Sequence, residues 1–218
     1  MTDIYTDELL GASWISENDM IVGWLRQGNG PFEPVTTRWM LEQLDKRAGA
    51  YVDVGASTGW FAVPFAKRGR KVHAVECNPR VIQRLKENCA LNGVTLTLHE
   101  RAASSRSGPV VFTHNPRLPL TSGGSLEYVS ANRASETVEA ARLDDLINEP
   151  VALLKIDVEG HEISVLQGAE RLVRQSRPAM VLEANTGAHE DTLAAWLADH
   201  GYIYMLADQR NMLCLPRS

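Results

Sequence analysis

From residue 51 onward, short apolar runs alternate with segments whose apolar positions recur every three or four residues. Tyr51-Val52-Asp53-Val54-Gly55 reads as a buried strand, and the helical stretch after it runs to about Arg68, where Gly69 stops it. Lys71 to Glu76 predicts a second strand. The helix from Pro79 to Asn92 is the clearest: Pro79 suits the first turn, Ile82, Leu85 and Cys89 share a face, and Gly93 ends it. Val94 to His99 reads as a third strand. Val151 to Asp157 is a fourth, almost continuously apolar, as suits a parallel strand covered on both faces. A helix from about His161 to Arg174 turns Ile163, Leu166, Ala169 and Val173 inward. Ala179 to Glu183 predicts a fifth strand and Glu190 to His200 a further helix. Tyr202 to Ala207 and Asn211 to Leu215 read as two strands joined by Asp208-Gln209-Arg210.

Strand–helix alternation of this kind implies a parallel sheet with right-handed crossovers. The short turn between the last two strands makes that pair antiparallel. The expected class is α/β, a mostly parallel sheet of these strands with helices on both faces. Two segments fall outside the rhythm. Residues 101–142 hold Pro109, Pro116, Pro119, Gly123, Gly124 and many Ser and Thr, and read as a mostly irregular, functional loop. Residues 1–50 read as a helical lead-in ahead of a domain at 51–218, with Val35 to Arg47 the clearer helix behind Pro34.

Composition narrows the class of function. The chain has 218 residues, 44% apolar and 22% charged, which suits one globular domain. A net charge of −5 counts against a protein whose affinity comes from nucleic-acid phosphates. Cys77, Cys89 and Cys214 form neither a disulfide framework nor a zinc pattern. Met1-Thr2-Asp3-Ile4-Tyr5 lacks the basic and apolar regions of a signal peptide. No apolar run approaches the roughly 20 residues that span a bilayer. The expectation is a soluble cytoplasmic protein without nucleic-acid or membrane partners.

The chemistry centres on Val52-Asp53-Val54-Gly55-Ala56-Ser57-Thr58-Gly59, which follows a strand and opens a helix. Gly55 lets a ligand approach the backbone, and Gly59 permits a tight helix entry. Glu76 lies at the tip of the next strand, where an acid can hold two ribose hydroxyls. The G-x-x-x-G spacing is not the dinucleotide fingerprint, and no phosphate-cradling G-x-x-x-x-G-K-[ST] is present. Asp53 would repel a pyrophosphate but attract an ammonium. A ligand with a ribose, no phosphate and an α-amino group is S-adenosylmethionine.

These residues resemble the FkbM family of S-adenosylmethionine-dependent methyltransferases. The matching stretches are V-D-V-G-A-S-T-G at 52–59, E-C-N-P at 76–79, S-G-G-S-L at 122–126, R-L-D-D-L at 142–146 and L-L-K-I-D-V-E-G-H-E at 153–162. The last is the most specific, and residues 1–50 are not covered. The resemblance implies the seven-stranded class I methyltransferase sheet, Rossmann-like, closed by an antiparallel pair. It implies an O-methyltransferase acting on a sugar, an oligosaccharide or a secondary-metabolite hydroxyl. It carries cofactor contacts to Asp53, Gly55, Ser57, Gly59, Glu76, Asn78 and Ala102. Pro64, inside the first helix, departs from the pattern and should bend that helix. Cys77 stands where the family often has proline.

Asp157 and Glu183 end neighbouring strands, with Asn185 two residues on. By analogy with catechol-type O-methyltransferases, these three oxygen-bearing side chains are expected to hold Mg²⁺ or a similar cation. The plainer alternative is that they hydrogen-bond backbone or acceptor. His161, at a helix start, is the candidate base for the acceptor hydroxyl, with Asp157 also assigned to catalysis. Glu159 and Glu162 more simply complement the helix dipole. Ser122-Gly123-Gly124-Ser125 is expected to close over the site, with Tyr128 stacking on a sugar, and His114 has a weaker claim. Trp14, Trp24 and Trp39 give the lead-in two uses, as a lid or at a homodimer interface. A nucleic-acid or protein methyltransferase is disfavoured: Asn115-Pro116-Arg117-Leu118 lacks the D/N-P-P-Y/F element of amino-methylating enzymes. A cofactor-binding scaffold without catalysis should have lost Asp157 and His161, and both are present.

Overall fold

The computed structural model describes residues 3–120, 124–127, 133–208 and 210–217. The chain opens with a hairpin of β1 (Ile4–Asp7) and β2 (Ala12–Ile15), then α1 (Met20–Arg26) and α2 (Pro34–Lys46). The central sheet follows: β3 (Ala50–Val54), α3 (Ala62–Lys67), β4 (Val72–Glu76), α4 (Pro79–Asn92) and β5 (Thr97–Glu100). Next come β6 (Ala102–Ala103), β7 (Gly108–His114), β8 (Ala134–Ala141) and α5 (Leu143–Leu146). The sheet resumes with β9 (Val151–Ile156), α6 (Glu162–Gln167), α7 (Glu170–Ser176), β10 (Ala179–Glu183), α8 (Gly187–Asp199), β11 (Tyr202–Ala207) and β12 (Asn211–Pro216).

Seven strands form one sheet in the order β11-β12-β10-β9-β3-β4-β5. All neighbours are parallel except β12, which runs antiparallel to both β10 and β11. This is the class I methyltransferase arrangement. Alternate side chains feed two cores. Tyr51, Leu153, Val181 and Leu213 join Met40, Phe65 and Leu85 on one face. Val52, Ile156, Met180 and Leu182 join Leu166, Val173 and Leu197 on the other. A strand covered on both faces has no alternation to show, which is why β9 is buried at every residue.

Several local expectations change. Residues 161–174 form two helices, not one, because Gly168 interrupts them: a Cβ there would lie 2.1 Å from the Ser104 carbonyl oxygen. Pro64 stands in the first turn of α3. It is the third residue of the helix, where a backbone N–H has no helical partner to lose. The third strand starts only at Thr97, since Val94 N–H is spent on the Cys89 carbonyl in closing α4.

The stretch 101–142 is not wholly irregular among its described residues. It carries β6, β8 and β7 as a small sheet in that order. Outside Phe112–His114 and Ala140–Ala141 the residues of β7 and β8 are half-buried or exposed, so no buried apolar run betrays them. Pro109 is tolerated because β7 is the edge. The lead-in is likewise not purely helical. Its hairpin docks on α4 through side-chain amides: Asn92 bonds Ser13 N–H and carbonyl at 2.9 and 2.7 Å, and Asn88 Oδ1 accepts from Ile15 N–H at 3.0 Å. No helix among the described residues is long and apolar enough to cross a membrane.

Candidate active site

The carboxyl ends of β3, β4, β9 and β10 open into a cavity of about 670 Å³, roofed by the lead-in. At the β3 end, Gly55 adopts φ 77° and a Cβ there would lie 1.9 Å from the Asp157 carbonyl oxygen. Its first requirement is therefore close packing of two strand ends. Gly59, at φ 86°, sits against Leu85 and Val63, where a Cβ would come within 2.8 and 2.9 Å. Asn88 Nδ2 donates to the Thr58 carbonyl at 2.8 Å, and Thr58 Oγ1 donates to Asp19 at 2.9 Å. Trp14 stacks on Trp60 with centroids 4.2 Å apart. The lead-in is thus fastened to the glycine turn itself.

Glu76 is buried and accepts three backbone N–H bonds, from Ser57 on Oε2 and from Cys77 and Asn78 on Oε1, each 2.8 Å. Burial raises its pKa and those donors oppose the rise. A carboxylate offers about four acceptor positions, so one remains, on Oε2, facing a cavity that Glu76 lines. Asn78 caps α4 by accepting from Arg80 N–H at 3.0 Å. Asn78, Ser57 and Ala102 line the cavity with Gly55 and Asp53, whereas Gly59 supports it from behind. Asp53 is 1% exposed, its Oδ1 is buried without a hydrogen-bond partner, and burial pushes its pKa up to about 6 against the pull of Lys155.

The β9 and β10 ends hold a dense charge cluster. Lys155 is 3% exposed, with Nζ 2.8 Å from Asp157 Oδ2 and 5.4 Å from the centroid of the Phe61 ring. Burial would lower its pKa, but Asp157, Asp53 and Glu33 hold it above its usual value. Burial likewise acts to raise the Asp157 pKa, and Lys155 outweighs it, keeping Asp157 ionised. Glu183 is held well above the carboxylate range by burial, then by Asp157 and Glu159. Arg210 opposes that shift from 2.9 Å on Oε1. The Arg210 guanidinium also bonds Asn185 Oδ1.

This donor set does not suit a divalent cation. Lys155 occupies Asp157, Arg210 occupies Glu183 and Asn185, and no group of three or more His, Cys, Asp and Glu able to hold a metal occurs among the described residues. The expected Asp157–Glu183–Asn185 metal site is corrected accordingly. A sheet edge that looks acidic in sequence receives its cations from positions not at the tips.

His161 precedes α6, but it is not among the residues lining the cavity. Its Nε2 lies 3.0 Å from Ser104 Oγ and its Nδ1 bonds Glu127. The chain turns sharply just before it, with Glu159 at φ 55° and Gly160 at φ 103°. That turn leaves Val158 and Glu159 on the cavity and carries His161 past it. Glu162, wholly buried, accepts from Val158 and Gly160 N–H at 3.0 and 3.3 Å and so ties the turn down. Burial pushes its pKa up to about 7, with those donors opposing.

Comparison with known proteins fits this geometry. The FkbM methyltransferase domain matches residues 53–204. The chain belongs to the FkbM methyltransferase domain family. The hexuronic acid methyltransferase AglP of Haloferax volcanii is 27% identical over 166 residues, which are 74% of this chain and 66% of that protein. A crystallised FkbM methyltransferase from Methylobacillus flagellatus superposes with TM-score 0.58 at 20% identity, over 77% of this chain and 43% of the other. Magnesium protoporphyrin IX methyltransferase of Synechocystis, solved with S-adenosylmethionine bound, superposes with TM-score 0.54 at 11% identity, over 91% and 85%. These two likenesses show the shared fold. The chain thus spans just under two thirds of its curated relative's length and less than half of the FkbM structure.

Within the FkbM domain, Gly124 and Ser125 of the expected loop motif reach the cavity wall, and Ser125 Oγ donates to the Glu159 carbonyl at 3.1 Å. Ser122, Gly123 and Tyr128 lie outside the described residues. His114 is buried at the end of β7, away from the cavity. Four residues that reach the site went unassigned in the sequence. Lys155 stood inside the quoted FkbM motif, and an isolated lysine in an otherwise apolar strand was the available signal. Arg210 and Asp208 lie in the turn of the closing strand pair. Glu33 belongs to the lead-in, ahead of the family match. Of the lead-in tryptophans, Trp24 lines the cavity while Trp14 is buried beneath it.

Proposed function

We propose that this FkbM domain transfers a methyl group from S-adenosylmethionine to a hydroxyl of a sugar or oligosaccharide. The observation that carries the reading is one cavity holding Glu76, with a free acceptor position, and Asp53, with a buried unpartnered oxygen. When bound, S-adenosylmethionine supplies an electrophilic methyl group whose departure needs no acid. Glu76 would take a ribose hydroxyl on Oε2, and Asp53 would take donors from the ammonium. The lead-in, through Trp24, Phe32 and Pro31, would exclude water from above. On the far side, Asp157, kept ionised by Lys155, would orient the acceptor hydroxyl and accept its proton, Glu183 beside it already holding one. The likeness to AglP, a hexuronic acid methyltransferase, supports a sugar as acceptor class.

The test is a screen of mono- and oligosaccharides for S-adenosylhomocysteine release, preceded by calorimetry with S-adenosylhomocysteine. Binding together with turnover on a sugar, unchanged in EDTA, is the expected result. Absence of binding at millimolar ligand would refute the cofactor assignment. Turnover abolished by EDTA and restored by Mg²⁺ would reinstate the metal.

A further inference from the structure

We propose that β11 is the contact through which two copies of this chain associate, pairing edge to edge by antiparallel backbone hydrogen bonds. The inference does not depend on the methyl-transfer reading above.

β11 is the outermost strand of the seven-stranded sheet, with β12 as its strand partner. A bare edge offers a row of unpaired N–H and C=O groups, and folds ordinarily blunt it with charge or proline. β5, at the opposite edge of the sheet, ends on His99 and Glu100, and β7, at the edge of the small sheet, carries Pro109. β11 has neither device: its sequence, Y-I-Y-M-L-A, holds no charge and no proline. Ile203, Tyr204, Met205 and Leu206 are 52, 39, 57 and 53% exposed in succession. Successive side chains point to opposite faces, so the strand is apolar and open on both.

The ladder fixes which backbone groups point outward. Arg217 N–H donates to the Gly201 carbonyl at 2.8 Å, and bonded pairs alternate along an antiparallel ladder. Ile203 and Met205 therefore bond inward, opposite Leu215 and Leu213, while Tyr202, Tyr204 and Leu206 present N–H and C=O to the open edge. Pro216, which has no N–H to give, stands opposite Tyr202, as this phase requires. The outward set is spaced evenly about Tyr204. A second copy related by a two-fold axis at Tyr204 therefore meets it donor to acceptor. Cross-strand neighbours are then Tyr204 with Tyr204, Tyr202 with Leu206 and Ile203 with Met205, with no charge in any pair.

Charge selects the same occupant. At the start of β11, Arg177 donates to the Gly201 carbonyl at 3.0 Å and Arg217 lies beside it, while Asp208 follows the strand's last residue. Antiparallel pairing brings the start of each strand to the end of the other. The arginines of each copy thus face Asp208 of its partner, at both ends of the contact. Glu190, beside the middle of the strand, accepts from the Tyr204 hydroxyl at 3.5 Å. An unrelated strand would have to supply this pattern, whereas a second copy supplies it by symmetry.

Sedimentation velocity on the whole chain, from about 1 µM to about 1 mM, spans weak and firm association and tests the proposal. The mass should rise with concentration from 24.1 kDa toward twice that value. Tyr204→Pro removes an outward N–H that β12 does not use, and Met205→Lys places a cation on the edge. Each should raise the dimer dissociation constant by at least about tenfold. S-adenosylhomocysteine affinity and the thermal melt should stay near wild type in Met205→Lys. Should Tyr204→Pro fail to fold, Met205→Lys alone decides. A monomer at every concentration would overturn the proposal. So would a dimer that Met205→Lys leaves intact, which would move the contact to another surface, such as that of Trp24.

Discussion

At the β3–β4 end of the cavity, where the cofactor is proposed to bind, Glu76 is clasped by N–H groups from its own strand tip and from the adjacent glycine turn. At the β9–β10 end, proposed to take the acceptor, Asp157, Glu183 and Glu33 come from three separate parts of the chain, and Lys155 and Arg210 hold the first two. The first arrangement is built from short stretches of backbone. The second is a charge network that exists only when β9, β10, the β11–β12 turn and the lead-in meet. A backbone clasp tolerates change in distant side chains, whereas a buried charge network depends on every member.

The sharpest way to break this contrast is to remove the cation at its centre. Lys155→Ala leaves Asp157, Asp53 and Glu33 without their common partner and should cost about 3–5 kcal/mol in urea unfolding at pH 7. The cost should shrink toward pH 5, where Asp53, with a pKa near 6, takes up a proton. Equal losses at both pH values would show that Lys155 contributes packing rather than charge.

The turn that carries Glu159 offers a second test. The Glu162 pKa is about 7 in the fold against an ordinary 4.5, so the folded state keeps a proton that the unfolded chain releases. That contribution is complete below the unfolded value and is lost as pH rises through 7. Stability from this residue should therefore fall between those values by on the order of 3 kcal/mol. Glu162→Gln retains an acceptor for Val158 and Gly160 N–H and should flatten that slope in thermal melts across the same window. A slope unchanged in the variant would assign the effect elsewhere.

At the cofactor end the expected effect is smaller and falls on binding. Glu76→Ala should weaken S-adenosylhomocysteine by about 1.5–3 kcal/mol, roughly 10- to 150-fold, measured by calorimetry. A loss within twofold would mean that the carboxylate serves only its backbone donors. The smallest effect is expected at His161. Because it lies off the cavity, His161→Ala should keep turnover within about threefold, whereas a general base would lose about 10²–10⁴. A loss of the larger size would return His161 to the chemistry.

The comparison also explains what could be read in advance. That Asp53, Gly55 and Glu76 meet at one cavity was legible because they sit on strand tips and the turn between them, and strand tips follow from apolar runs. Even there, Gly55 answers first to the Asp157 carbonyl and only then to a ligand, a distinction that spacing cannot make. At the β9–β10 end the structure gives the expected residues partners that the sequence did not show. Asp157, Glu183 and Asn185 looked like a metal site because their cationic partners are out of register with them in sequence: Lys155 lies inside an apolar strand and Arg210 follows a turn. The motif position of His161 says nothing of which way the turn at Glu159 and Gly160 swings its side chain, and His161 does not line the cavity.

By itself, the sequence determined the seven strands and their parallel and antiparallel sense, the glycine turn, and the acid at the tip of the following strand. Each depends on periodicity or spacing within some 25 residues, and local sterics and burial are enough to enforce them. Tertiary structure alone decided the small sheet at 102–141, the hairpin docked on Asn88 and Asn92, the Lys155 and Arg210 pairings, and the arrival of Glu33 at the cavity. Those features are contacts between residues far apart in the chain, made by charged and amide side chains that carry no hydrophobic period. Electrostatic and hydrogen-bond energies depend on distance in space, and separation along the chain holds no record of it.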